Sequence, residues 1–178
     1  MANRYLIVVD MQNDFLTGSL GTPEAAAIVD AVAERAATFE GTVAFTLDTH
    51  DTDYADTQEG RNLPVPHCLR GTEGWQLAPQ LQEVRERRRA SVFEKPTFGS
   101  TTLATWLAAE HVAHPIDSIE LCGVCTDICV VSNALLIKAA LPEVPLSVDA
   151  RLCAGVTPAS HDAALATMAS CQVEVLGR

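Results

Sequence analysis

The chain has 178 residues, with 23 Asp and Glu against 12 Lys and Arg and a formal net charge of −11. That balance argues against nucleic acid and anionic membrane surfaces as partners. No apolar run approaches the ~18–20 residues of a membrane span, and Met1-Ala-Asn-Arg-Tyr5 has no signal-peptide pattern. Six cysteines in a chain of this size therefore read as reduced thiols of a cytoplasmic protein. Neither repeats nor linker-like tracts interrupt it, so residues 1–178 are expected to fold as one domain.

The predicted elements alternate. Tyr5-Leu-Ile-Val-Val-Asp10 is nearly all apolar, as a strand covered on both faces should be. Pro23 to about Phe39 has helical periodicity, with Thr22 as cap. Thr42 to Asp48 is a second strand, and a polar loop rich in Thr, Asp, Gly and Pro runs from Thr49 to about Gly74. Trp75 to Arg89 is predicted helical, Ser91 to Lys95 a strand, and Thr101 to Glu110 a helix. Ile119 to Val124 is a strand that turns into a helix from Thr126 to about Ala140. A strand at Val144 to Asp149, a helix at Ser160 to Ala169 and a strand at Val173 to Leu176 complete the chain. The pattern predicts an α/β fold, a mostly parallel sheet of about six strands with helices on both faces. Such sheets bind ligands at the carboxyl ends of their strands, where strand order switches.

Four residue groups sit at or just past predicted strand ends. Cys129 falls about one turn into the helix after Gly123-Val124, where free N–H groups and the helix dipole favour a thiolate. Asp10, partly withdrawn from water at the end of the first strand, could act as a base towards a thiol. Lys95 ends another strand, and an ammonium between a carboxylate and a thiolate favours both charged forms. Asp48-Thr-His50, followed by Glu59 and His67, offers two carboxylates and two imidazoles. That set suits one divalent transition metal, Zn or alternatively Fe(II) or Mn, better than calcium or a structural thiolate zinc.

With those residues placed, the chain resembles the isochorismatase-like cysteine hydrolases along essentially its whole length. The resemblance rests on Asp10 in Val-Val-Asp-Met-Gln-Asn-Asp-Phe, Lys95 before Pro-Thr-Phe-Gly-Ser, and Cys129 in Gly-Val-Cys-Thr-Asp-Ile-Cys-Val. It implies a three-layer Rossmann-like fold and an Asp–Lys–Cys triad. Asp48-Thr-His50 with Pro66-His67-Cys68 further resembles the metal site of the nicotinamidase branch, and Glu59 matches the carboxylate ligand of one bacterial subset. The implied reaction is hydrolysis of a carboxamide, through a thioester on Cys129, with Asp10 moving the proton. The implied oxyanion hole is the backbone N–H of Cys125 and of Cys129, after a cis Val124–Cys125 peptide. The implied metal positions the pyridine nitrogen of nicotinamide, and Phe15 matches a ring-packing aromatic. Trp75 is either a second wall of the substrate site or a core anchor. The partner implied is a small-molecule carboxamide, and relatives are often homo-oligomers.

Rival functions are open at this level. Cys122-Gly-Val-Cys125 is a C-x-x-C, the pattern of thiol–disulfide oxidoreductases, but Cys122 falls inside the strand and that reading leaves Asp10, Lys95 and the histidines without a role. The same fold could act on another amide, a ureido compound or a vinyl ether, or could bind without catalysis, though none of the three triad positions is missing. His111 and His114 read as helix-end residues, Ser160 in Ser-His-Asp as a helix cap, and Cys68, Cys153 and Cys171 as packing thiols.

Overall fold

Six strands, β1 (Arg4–Val9), β2 (Thr42–Asp48), β3 (Ser91–Lys95), β4 (Ser118–Val124), β5 (Leu146–Ala154) and β6 (Glu174–Leu176), pair side by side in the computed structural model, which describes residues 2–178. The order is β3-β2-β1-β4-β5-β6, and every pairing is parallel. The central strands are buried on both faces: Leu6, Ile7, Val8 and Val9 of β1 have no exposed surface. A period-two pattern would have exposed every second residue, which is why these segments read as continuous apolar runs.

The helices are α1 (Asn13–Leu16), α2 (Pro23–Ala27), α3 (Val29–Thr38), α4 (Gln58–Asn62), α5 (Pro79–Arg88), α6 (Thr101–Ala113), α7 (Val131–Ala140) and α8 (Pro158–Ser170). The crossovers from β1 to β2 and from β2 to β3 step one way along the sheet. Those from β3 to β4, β4 to β5 and β5 to β6 step the other way. Because parallel crossovers are right-handed, opposite steps put their helices on opposite faces. The packing agrees, since α2 and α5 lie against α3 while α6 and α8 lie against α7. This is the expected three-layer architecture, with the sheet parallel throughout.

Several expected boundaries move, among them the start of α8, which begins at Pro158 with Thr157 as its cap rather than at Ser160. The helix predicted from Pro23 to Phe39 breaks at Ile28, so that α2 rests on α1 while α3 lies on β1 and α5. Instead of beginning at Trp75, α5 begins at Pro79, because the preceding residues are hydrogen-bonded to the chain after β1: Asn13 N–H donates to Gln76 O, Asp14 N–H to Gly74 O and Ala78 N–H to Met11 O. The strand expected at Val144 to Asp149 runs from Leu146 to Ala154, past an irregularity in its pairing with β4 between Leu121 and Gly123. The loop after β2 contains a 3-10 turn at Tyr54–Asp56 as well as α4.

Candidate active site and metal centre

Strand order reverses between β1 and β4, and the candidate residues gather at that crevice. Asp10 follows β1 in a left-handed conformation (φ 47°) and is fully buried. Few non-glycine residues adopt that conformation, Asp among them, and its backbone is tied by N–H donation to Thr46 O at 3.3 Å. Thr46 Oγ1 donates to Asp10 Oδ1 at 2.6 Å. Opposite lies Gly123, at φ 114°, where a Cβ would sit 2.1 Å from Val9 O. Only glycine lets β4 approach this closely before the chain turns.

Lys95 and Asp48 end adjacent strands in register, which sets them side by side. Lys95 is 1% exposed. Its Nζ lies 2.6 Å from Asp10 Oδ2, 3.4 Å from Asp48 Oδ1 and 3.5 Å from Cys129 Sγ. The Asp10 contact pairs the buried ammonium directly with Oδ2. Beyond the cis Val124–Cys125 peptide, Thr126–Val130 forms a π-type turn that carries buried Cys129 into α7.

Burial dominates the electrostatics here. It raises the Asp10 carboxyl above its ordinary value against the pull of Lys95 and Thr46. Burial alone would lower Lys95, yet the charges of Asp10 and Asp48 reverse this and raise it. Burial, with Asp10 beside it, pushes the Cys129 thiol well above the usual thiol range despite Lys95. The thiolate expected from the helix start is thus outweighed, and Cys129 rests protonated next to a carboxylate that can take its proton. Burial also pushes the Cys125 thiol up to about 12.

The four residues proposed as ligands converge. Ligand atoms of Asp48, His50, Glu59 and His67 all lie within 4.8 Å of one another. Asp48 Oδ2 is 3.1 Å from His50 Nε2 and 3.4 Å from His67 Nε2, while Glu59 Oε1 is 3.6 and 3.5 Å from the same two nitrogens. Tetrahedral ligands at ~2.0–2.1 Å from a zinc ion stand roughly 3.3–3.4 Å apart, so this donor set fits a divalent cation. His67 Nδ1 is 2.9 Å from Val65 O, to which it can donate, leaving Nε2 as the ligating lone pair. Burial would lower the His67 pKa, but hydrogen bonds to Asp48 and Glu59 raise it to about 10. Asp48 is held well below the usual carboxylate range by His50 and His67, against its burial. Without a metal, His67 thus keeps its proton against these carboxylates.

Cys129 and the four proposed ligands line one cavity of about 810 Å³, whose walls include Phe15, Thr49, Ile128 and Cys125, while Asp10 and Lys95 are buried and do not line it. Trp75 is not among the lining residues. Its Nε1 donates to Thr49 Oγ1 at 2.9 Å, so it braces the wall from behind. Cys122, half of the C-x-x-C, is buried inside β4, and all six cysteines are unpaired.

Three supporting residues were not anticipated. Gln12 acts as a strand edge for Asp48, accepting from its N–H and donating to its carbonyl, both at 2.8 Å. Tyr54 packs edge-on against His50 and His67, at 4.8 and 5.1 Å. Asn133 accepts from Ser100 N–H at 2.9 Å and donates to Cys129 O at 2.8 Å, joining the loop after Lys95 to the Cys129 turn. A buried amide paired with backbone leaves no periodic trace; position 133, four residues after Cys129, was the one available hint.

Known proteins share this arrangement of chain. The nicotinamidase/pyrazinamidase of Mycobacterium tuberculosis is 32% identical over 189 residues, covering 97% of this chain and 98% of that protein. The crystal structure of nicotinamidase/pyrazinamidase from Bacillus subtilis superposes with a TM-score of 0.84 at 28% identity, covering 98% of this chain and 99% of that one. The pyrazinamidase of Pyrococcus horikoshii in complex with zinc gives 0.81 at 26% identity, covering 98% of each. The isochorismatase domain model matches residues 4–178, and with a fold, a strand-end crevice and relatives that agree, the chain belongs to the isochorismatase family.

Proposed function

We propose that the protein is a metal-assisted cysteine amidohydrolase that converts nicotinamide and water to nicotinate and ammonia. The observation that carries this reading is the meeting of two clusters through Lys95, whose buried Nζ contacts Asp10, Asp48 and Cys129 beside the cavity. The Asp10 carboxylate, held by Lys95 and Thr46, takes the proton of Cys129. The thiolate attacks the carboxamide carbon, and Lys95 offsets the charge that develops on its neighbours. Backbone N–H groups of Cys125 and Cys129 receive the oxyanion; donors of this kind are each worth about 3–4 kcal/mol in hydrolases. Asp10 then gives its proton to the departing nitrogen, ammonia leaves, and a thioester remains. Water, deprotonated by Asp10, cleaves the thioester to the acid.

Asp48, His50, Glu59 and His67 would hold the metal, most simply zinc, with iron or manganese as alternatives for the same donors. When bound, it supplies a Lewis-acidic anchor for a ring nitrogen. Phe15 packs the ring from the cavity wall, and Trp75 holds Thr49 in place behind it. A reducing, cytoplasmic setting accords with six unpaired thiols. No helix among the described residues is long and apolar enough to cross a membrane.

Ammonia release from nicotinamide by the metal-loaded protein is the test, run beside Cys129→Ala and a chelator-treated sample. Activity should vanish in Cys129→Ala and fall at least a hundredfold on chelation. Activity that survives chelation would remove the metal from the mechanism, and an inert metal-loaded protein would end the nicotinamide assignment.

A further inference from the structure

We infer that the mouth of the Cys129 cavity is a second, apolar subsite, and that the substrates it suits are aryl carboxamides bearing an apolar substituent on the ring. This rests on the amidohydrolase reading above and narrows its substrate class.

The cavity grades from a polar floor to an apolar mouth. At the floor Cys129, Asp48, His50 and His67 are all buried. At the mouth stand Leu63, Phe98 and Val156, exposed by 37%, 47% and 50%. Among the described residues only one other large apolar side chain, Val112 on α6, is comparably exposed. Single exposed apolar residues are ordinary, but three of four around one opening make a surface that water covers poorly and an apolar group covers well.

Size points the same way. Sites for whole drug-sized ligands span about 300–1,000 Å³, and this cavity of about 810 Å³ lies in the upper part of that range. An unsubstituted single-ring amide, engaged with the floor, leaves the mouth empty.

The mouth is also fixed in place. Leu63 O accepts from Tyr54 OH at 2.8 Å, Phe98 O accepts from Asn133 Nδ2 at 3.3 Å, and Val156 N–H donates to Asp127 Oδ1 at 3.0 Å. Each apolar side chain therefore projects from backbone already anchored, which lowers the ordering cost of binding. Asp51 and Asp53 flank the same cavity, and of these Asp51 is paired with Arg70 at 3.3 Å. An anionic substituent is disfavoured there.

The experiment measures kcat/KM by ammonia release for nicotinamide, 5-phenylnicotinamide, 6-phenylnicotinamide and 5-carboxynicotinamide. It uses the metal-loaded full chain and the double variant Phe98→Ser with Val156→Ser. At least one phenyl amide should match or exceed nicotinamide through a lower KM, and the carboxylate analogue should fall at least tenfold below it. The double variant should lower the ratio of phenyl amide to nicotinamide about tenfold. If nicotinamide is cleaved and both phenyl amides are more than tenfold worse, the subsite is overturned while the nicotinamidase reading stands. If a phenyl amide is cleaved and nicotinamide is not, the subsite stands and nicotinamide is the wrong substrate. If nothing is cleaved, both are overturned.

Discussion

Asp10 carries the sharpest consequence of burial. Its carboxyl is raised by desolvation, with Thr46 and Lys95 pulling the other way. A base must be ionised to work, so the rate should fall as pH drops through this raised value. The acid limb of kcat/KM is expected above the ~4 of an ordinary carboxyl. Thr46→Val removes a hydrogen bond that favours the charged form and should move that limb further up. A pH–rate profile of the two proteins checks this; an unmoved limb would argue against Asp10 as the base. Asp10, Asp48, His50 and Lys95 were legible in the sequence because each ends a strand or follows one, where a side chain reaches the crevice, whereas Glu59 on α4 and His67 beyond it were matched as a metal site through the family resemblance. Gln12 and Asn133 were not legible, because their work is to pair with backbone, and that pairing exists only once distant segments have met.

Elements were legible where one local rule decided them. β2 and β3 match their predicted ends residue for residue, β2 as an apolar run between Thr42 and Asp48 and β3 as a short stretch stopped by Pro96. Boundaries failed where tertiary pairing overrode propensity, as before α5, whose would-be first turn is used to bind the chain after β1. The π-type turn at Thr126–Val130 is a further case: nothing in Thr-Asp-Ile-Cys-Val distinguishes it from an ordinary first turn. The start of α8 also moved: Thr157, not Ser160, is the cap, accepting from Ser160 N–H at 3.1 Å while Thr157 N–H returns to Ser160 Oγ at 3.1 Å, so the helix begins at Pro158. Loss of such a cap costs about 1 kcal/mol. In a protein of this size Thr157→Ala should therefore lower Tm by roughly 2–4 °C and leave ammonia release unchanged. Thermal melts and a steady-state assay on the same sample would decide it.

Over the whole molecule, metal and proton compete for one set of ligands. His67 is raised to about 10 by Asp48 and Glu59, which outweigh its burial. A raised histidine stabilises the metal-free fold fully below its ordinary value of about 6.5, and that contribution is lost as pH climbs to about 10. Metal binding must displace this proton, so affinity should rise about tenfold per pH unit across the same window. Zinc titrations at pH 6.5 and 7.5 would reveal it, and a pH-independent affinity would show that His67 gives up no proton. Asp48 has one oxygen on Lys95 and the other on the histidine pair, so the two clusters share a single anion. Asp10, Asp48 and Glu59 then set three negative charges against the one positive charge of Lys95. A divalent ion would supply the missing two and bring these two clusters to neutrality. An uncharged amide enters such a site without a charge penalty, whereas the acid it becomes adds an unmatched anion beside Asp10. Turnover thus converts a welcome guest into a repelled one, and product departure is written into the same carboxylates that prepare the attack.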